Sequence, residues 1–214
     1  MERKIFVSVG RTSTPAQEDF VRAIEDRLCS EGLKPCTVGR NTWTAGAPLK
    51  KVTELMAECM GAVVIALERT YFPRGTERRG HPEASELLDV RLPTPFNQVE
   101  AAMAYCHGRP LLVIVEEGIR EEGLLERGND WYVQRVKPTH NALTTPEFNG
   151  VFASWKEQVT ASRIGSQLSK PVVELTIAEW LGVLKPTHLW SLLSALAVLI
   201  AGAFSLGAKL LGNP

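Results

Sequence analysis

The sequence predicts a doubly wound α/β domain, in which helices cover both faces of a parallel sheet, followed by one C-terminal apolar helix. Short apolar runs alternate with stretches whose apolar residues recur at helical spacing. Strands and helices that alternate at this spacing are joined by right-handed crossovers, which produce a parallel sheet. An uncharged stretch at residues 189–208 predicts the final helix.

The first half of the chain contains three predicted strands and two predicted helices. The run IFVSV at residues 5–9 predicts the first strand, and residues 16–30 carry apolar side chains along one helical face. KPCTVG, from Lys34, predicts the second strand. Pro48 opens the second helix, and GAVVIAL, from Gly61, predicts the third and most buried strand.

The second half continues the alternation. Thr94 and the proline after it are typical of an N-cap and first turn, and the helix that they begin carries Glu100. Residues 110–115 predict a fourth strand. WYVQRV, from Trp131, predicts a fifth strand, and a helix is expected over residues 147–163.

Two local expectations concern the region around Glu100. Residues 71–92 are dense in Arg, Glu and Pro, and a loop of this length is typical of a lid or a disordered segment. The third helix is predicted to bury a stripe formed by Phe96, Val99, Met103 and Cys106. Glu100 would then lie about 100° away from that stripe, beside Ala104 and His107.

The uncharged stretch at residues 189–208 predicts a transmembrane helix. As a helix it is long enough to cross a hydrocarbon core of roughly 30 Å, and Trp190 is suited to the interface. The alternative is a buried or oligomerising C-terminal helix. The predicted organisation is an α/β domain at residues 1–165, a linker at 166–187 and the transmembrane helix at 188–210.

Composition excludes several classes of function. The formal net charge is zero, so no basic field indicates a nucleic-acid partner. The cysteines are far apart, without C-x-x-C spacing, and predict free thiols in a reducing compartment; no metal and no cofactor is expected. The opening MERKIFVSVG lacks the apolar region of a signal peptide. We therefore expect a single-pass membrane protein whose N-terminal domain lies in the cytoplasm.

Polar segments follow the first three predicted strands, at the edge where parallel sheets bind ligands. They read GRTSTP, GRNTWTAG and ERTYFPRGTERR. Their arginines can bind phosphates, a hydroxyl can donate to them, and an aromatic ring can stack on a base. The predicted ligand-binding residues are Arg11, Ser13, Arg40, Trp43, Arg69 and Tyr71. This combination indicates a nucleotide, whereas dinucleotide-binding and P-loop glycine patterns are absent from the sequence.

Glu100 is the candidate catalytic residue, because its helix begins at the same edge of the sheet. A carboxylate there can contact a sugar hydroxyl or stabilise positive charge at an anomeric carbon. The alternative is a solvated glutamate that is favoured early in a helix by the helix dipole.

The segments IFVSVG, MGAVVIALERTYF and above all VEAAMAYCHGRPLLVIV resemble the nucleoside 2-deoxyribosyltransferase superfamily and the related TIR and TIR-like domains, over about residues 4–117. The resemblance implies a flavodoxin-like or TIR-like fold. It also implies that Glu100 is the carboxylate that cleaves the N-glycosidic bond of a nucleoside or NAD. Where the transferases usually place an Asp-x-Gly-type turn, this chain has Glu68, Arg69 and Thr70, which argues against transfer more than against NAD cleavage.

Two functions follow from these observations and stay open at this point. One is a membrane-anchored effector that cleaves the N-glycosidic bond of NAD or a nucleotide. The other is a non-catalytic receptor for a nucleotide second messenger that clusters its transmembrane helices and disrupts the membrane. A tail-anchored scaffold is a third alternative. The resemblance implies a role in antiviral defence for either leading function, and assembly into a homo-oligomer.

Overall fold

The computed structural model describes residues 2–166 and contains the predicted parallel sheet. Its strands are β1 (Lys4–Val9), β2 (Lys34–Cys36), β3 (Gly61–Ala66), β4 (Thr70–Glu77), β5 (Ser85–Leu92), β6 (Leu111–Glu116) and β7 (Tyr132–Val136). Five of them form a parallel sheet in the order β2-β1-β3-β6-β7. The strand order reverses between β1 and β3, which is the point where open parallel sheets bind their ligands.

Helices cover both faces of this sheet, as predicted. They are α1 (Pro15–Ser30), α2 (Pro48–Glu58), α3 (Pro95–Cys106) and α4 (Pro146–Ser166), with 3-10 turns at Gly123–Leu125 and His140–Thr144. Apolar residues of α1 and α4 pack on one face of the sheet, and those of α2 and α3 pack on the other. The first three helices each begin with a proline, whose missing N–H is not needed there.

Successive side chains of β1 point to opposite faces of the sheet and therefore contact different pairs of helices. Ile5 and Val7 pack with α1 and α4, whereas Phe6 packs with α2 and α3. Ser8 has the same parity as Phe6 and therefore faces the α2 and α3 layer. A fully buried hydroxyl thus lies near the carboxyl end of a central strand.

The apolar stripe predicted for α3 is wrong. Phe96 is 54% exposed and Val99 is 42% exposed, and Cys106 also lies at the surface. Met103 is only half-buried. The large apolar residues of this helix therefore do not mark the face that packs on the sheet.

Small and polar residues form the buried face of α3 instead. Asn97, Ala101 and Ala104 are its buried residues. Alanine side chains let a helix approach a sheet closely, and here they leave room for longer polar groups on the same face. Glu100 lies three residues after Asn97 and four before Ala104, so it shares this face and is directed toward the sheet.

Residues 71–92, predicted as a long loop, form most of an antiparallel hairpin made by β4 and β5. The charged residues that suggested a lid or disorder pair across its strands. Arg74, for example, forms an ion pair with Glu86 on the opposite strand. Oppositely charged cross-strand neighbours stabilise such a ribbon, which explains why a charge-rich segment is regular.

The predicted membrane segment lies outside the described residues. None of the helices within residues 2–166 combines the length and the apolar character that spanning a bilayer requires. The chain divides into the units Met1–Gly165 and Ser166–Pro214. The transmembrane helix expected at residues 188–210, and all but the first residue of the expected linker, belong to the part that is not described.

Replacing Ala104 with Leu is expected to lower the free energy of unfolding by about 1–3 kcal/mol, because α3 and the sheet leave no room for a larger side chain. The control is Val99→Ala on the exposed face, which should change it by less than about 0.5 kcal/mol. Urea unfolding of the purified protein measures both. If Val99→Ala lowers the free energy of unfolding more than Ala104→Leu does, the buried stripe that the sequence predicts for α3 is correct.

Candidate functional site

Glu100 projects from the second turn of α3 and is half-buried. Burial raises the pKa of its carboxyl from 4.5 to about 7, and a hydrogen bond with the Ser8 side chain only partly opposes this shift. A carboxyl with a pKa near neutrality exists in both protonation states at physiological pH. Groups of this kind are typical of catalytic sites, although structural networks also produce them.

Asn97 joins α3 to the crevice between β1 and β3. Its Nδ2 donates to the Oγ of Ser8 at 2.9 Å. The same nitrogen lies 3.4 Å from the carbonyl oxygens of Ser8 and Ile65, which belong to the two neighbouring strands. The amide therefore bridges β1 and β3 where the strand order reverses, and Glu100, one turn further along α3, lies at the same place.

The loop after β1 packs directly on the N-terminus of α3. A Cβ on Gly10 would lie 3.0 Å from Cγ2 of Thr94, so a larger residue here would require the Thr94 side chain to shift by a few tenths of an ångström. Thr94 caps the helix by accepting from the backbone N–H of Phe96, and Nη1 of Arg69 donates to the same hydroxyl at 3.4 Å. The structure therefore places Arg69 beside the beginning of the helix that carries Glu100.

A second carboxylate, Glu116 at the end of β6, ties the loops of this edge together. Its Oε2 accepts from the backbone N–H of Glu68 at 2.7 Å and from Nε2 of Gln17 at 3.3 Å. Gln17 also donates to the Glu68 carbonyl at 2.9 Å, and its Oε1 accepts from the backbone N–H of Ser13 at 2.8 Å. Ser13 thus takes part in the site through its backbone, and its side chain is exposed.

Arg11 and Arg40 line one cavity of about 460 Å³ between the loops that follow β1 and β2. Arg40 donates to Oε1 of Glu18 at 2.8 Å and to Oε1 of Glu25 at 2.9 Å, so its charge is already neutralised. Its hydrogen bonds lower the pKa of Glu18 to about 2. Arg11 is exposed and has no hydrogen bond or ion pair from its side chain within residues 2–166. Of these two arginines, Arg11 is therefore the one whose charge is available to a phosphate.

The predicted stacking residues lie on separate segments. Trp43 is 74% exposed in the connection between β2 and α2. Tyr71 lies on β4, two residues after Arg69, and its hydroxyl donates to Oδ1 of Asp89 at 2.6 Å. Tyr71 is 48% exposed, so both rings can be reached by a base from solvent.

Ser8 and Asn97, which surround Glu100, were not predicted from the sequence. One signal for Ser8 is its position in the run IFVSV, where a hydroxyl interrupts the apolar residues of a central strand. The signal for Asn97 is its spacing of three residues from Glu100, which puts both on one helical face. Gln17 and Glu116 carry no comparable signal, because their partners come from distant segments.

Comparisons with known proteins leave the family open. No protein family model and no curated protein matches the chain. Among solved structures, the chain is similar to the Clostridium botulinum CMP N-glycosidase BcmB, with a TM-score of 0.37 and 15% identity. The match covers 66% of this chain and 96% of that chain. The likeness is distant.

The stability of the wild type is expected to depend on pH through Glu100. Folding raises the pKa of this carboxyl from 4.5 to about 7, so the unfolded chain releases the proton first. The free energy of unfolding should therefore fall as the pH rises from about 4.5 and level off above about 7, by an amount on the order of 3 kcal/mol. Glu100→Gln should lack this decrease and be the more stable protein above neutral pH.

Urea unfolding at a series of pH values measures the difference between the two proteins. Glu117→Gln is the matched control, because it removes an exposed carboxylate just beyond β6 and should keep the pH dependence of the wild type. If the Glu100→Gln and wild-type curves run parallel across this range, the carboxyl titrates at its ordinary pKa.

Proposed function

We propose that this domain binds a nucleotide at the crevice between β1 and β3 and that Glu100 cleaves the N-glycosidic bond of the nucleotide. The observation that carries the proposal is a half-buried carboxyl, with a pKa of about 7, at the ligand-binding edge of a parallel sheet. Ionised carboxylates are the groups that glycosidic cleavage uses to stabilise or attack an anomeric carbon.

In the proposed reaction the bond between C1′ and the base nitrogen breaks, and its electron pair leaves with the base. Positive charge develops at C1′, and water then adds there to give the sugar product and one proton. A purine or pyrimidine base takes up that proton, whereas nicotinamide leaves NAD as a neutral base and the proton passes to solvent. Glu100 in its ionised form faces this charge. Burial makes the ionised carboxylate unfavourable in the free protein, so its attraction to C1′ is gained mainly in the transition state. An interaction that is stronger in the transition state than in the ground state accelerates the reaction.

The remaining contacts of the nucleotide are proposed from the positions of the rim residues. Arg11 binds a phosphate, because its side chain has no ion pair within residues 2–166, whereas Arg40 is held by two carboxylates and shapes the cavity wall. Arg69, beside the start of α3, is a second cation at this edge. Trp43 and Tyr71 are accessible for stacking on the base.

Membrane anchoring, assembly and a role in antiviral defence are further proposals. The uncharged stretch at residues 189–208 supports a C-terminal anchor with the α/β domain in the cytoplasm. Its many small residues allow close packing between copies, which supports a homo-oligomer.

Glu100→Gln is expected to reduce base release from NAD or a nucleoside monophosphate by roughly 100-fold or more, because it removes the charge that faces C1′. Nucleotide affinity should change little, since the amide keeps the size of the carboxyl and most of its hydrogen bonds. Chromatographic measurement of the released base, with calorimetry for binding, tests both. Glu117→Gln is the control and should release base at the wild-type rate.

A receptor gives a different pattern, and the uncharged C-terminal stretch favours this second function. The wild-type protein would then bind a nucleotide without releasing the base, and Glu100→Gln would alter affinity alone. Base release that persists undiminished in Glu100→Gln would remove Glu100 from the catalytic role.

Deleting residues 189–214 is expected to move the protein from the membrane fraction to the soluble fraction, because the deletion removes the stretch that is long enough to cross a bilayer. Cell fractionation with a carbonate wash measures the distribution of both proteins. A full-length chain found in the soluble fraction without detergent would contradict the anchor.

A further inference from the structure

The side-chain amide of Asn97 has only one reasonable orientation. Its Nδ2 faces the Ser8 hydroxyl at 2.9 Å and lies within 3.4 Å of two backbone carbonyl oxygens, those of Ser8 and Ile65. Reversing the amide would place its oxygen against both carbonyls, which can only accept hydrogen bonds. The nitrogen must therefore face β1 and β3, and Asn97 is the donor to Ser8.

This orientation determines what the Ser8 hydroxyl can do. A hydroxyl has one proton to donate and can accept with its oxygen. Asn97 already donates to that oxygen, so the proton is left for another acceptor. Ser8 is fully buried on the face of β1 that meets α3, and Glu100 lies one turn after Asn97 on the face of that helix directed toward β1, where the Ser8 hydroxyl lowers the pKa of its carboxyl.

We infer that Asn97 and Ser8 are a positioning pair for Glu100, in which donation from Asn97 aims the Ser8 proton at the carboxylate and holds its ionised form in place. The pair explains why a polar amide and a hydroxyl are both buried between α3 and the sheet. Its value for catalysis rests on the proposed function, because ionised Glu100 is the form that faces C1′. The hydrogen bond from Asn97 to Ser8 does not depend on that function.

No charged group on the elements around α3 stabilises the ionised form of Glu100 as Ser8 does. The elements that pack most closely on α3 are β1, β3, β6, α2 and the turn at Gly123–Leu125. Their charged residues are Lys4 on β1, Lys50, Lys51, Glu54 and Glu58 on α2, and Glu116 on β6. None of these contributes to the pKa of Glu100, which burial raises and Ser8 lowers. Ser8 is therefore the one group among the described residues that favours the ionised form.

The test follows the titration of Glu100 in the full-length protein by carbon-13 NMR of the glutamate carboxyls. The Glu100 signal is the one that is lost in Glu100→Gln. Ser8→Ala should raise the midpoint from near 7 by about one pH unit, because a hydrogen bond to the charged form is removed. Ser8→Thr retains a hydroxyl and should keep a midpoint close to that of the wild type.

Asn97→Leu tests whether Asn97 acts through Ser8. Alone, it should raise the midpoint by less than Ser8→Ala does, because the hydroxyl remains but is no longer oriented. Added to Ser8→Ala, it should cause no further shift. Gln134→Leu, a buried polar residue on β7 outside this network, is the control and should leave the midpoint unchanged.

The inference is overturned if Ser8→Ala leaves the midpoint unmoved, or if Asn97→Leu adds its full shift in the Ser8→Ala background. Should Ser8→Ala not fold, Ser8→Cys fills the site with a weaker donor and must raise the midpoint for the inference to stand. A shifted midpoint in a protein that releases no base supports the pair and rejects the proposed reaction. Base release together with an unmoved midpoint rejects the positioning pair and supports the proposed reaction.

Discussion

The close packing of α3 on the crevice between β1 and β3 is the constraint on which the site depends. Ala101 and Ala104 bring the helix near the sheet, and Asn97 satisfies carbonyl oxygens on both strands. Glu100 lies on the same face and is carried into a region of low polarity. The raised pKa of Glu100, its proximity to Ser8 and its position where the strand order reverses all follow from the packing of α3 on the sheet.

The other charges of the edge are mostly paired before any ligand binds. Arg40 is held between Glu18 and Glu25, and Glu116 accepts from two N–H groups that fix the neighbouring loops. Charged groups that already have partners keep the loops in place but contribute little further attraction. Arg11 and Arg69 have no ion pair within residues 2–166, so they are the two cations of this edge that the proposed function assigns to a phosphate.

The strands and helices could be predicted because buried parallel strands are continuous apolar runs and the helices between them begin at prolines. The hairpin could not, since both of its faces are largely exposed and its residues follow no apolar alternation. The sequence predicts the wrong buried face for α3, because the large apolar side chains of Phe96 and Val99 suggest burial, whereas close packing on the sheet selects alanine. The contact between Ser8 and Asn97 beside Glu100 could not be predicted either, because these two residues are 89 positions apart in the sequence.

The protonation of Glu100 bears on whether the site is built for binding or for chemistry. A receptor that uses a carboxylate to accept from a ribose hydroxyl gains most when the group is ionised at an ordinary pKa, as an exposed glutamate would be. Here burial makes the anion unfavourable in the absence of ligand and lowers stability near neutral pH. Such a cost is offset where positive charge develops beside the carboxylate, and an anomeric carbon losing its base supplies that charge. The environment of Glu100 is therefore better suited to the proposed cleavage than to binding alone.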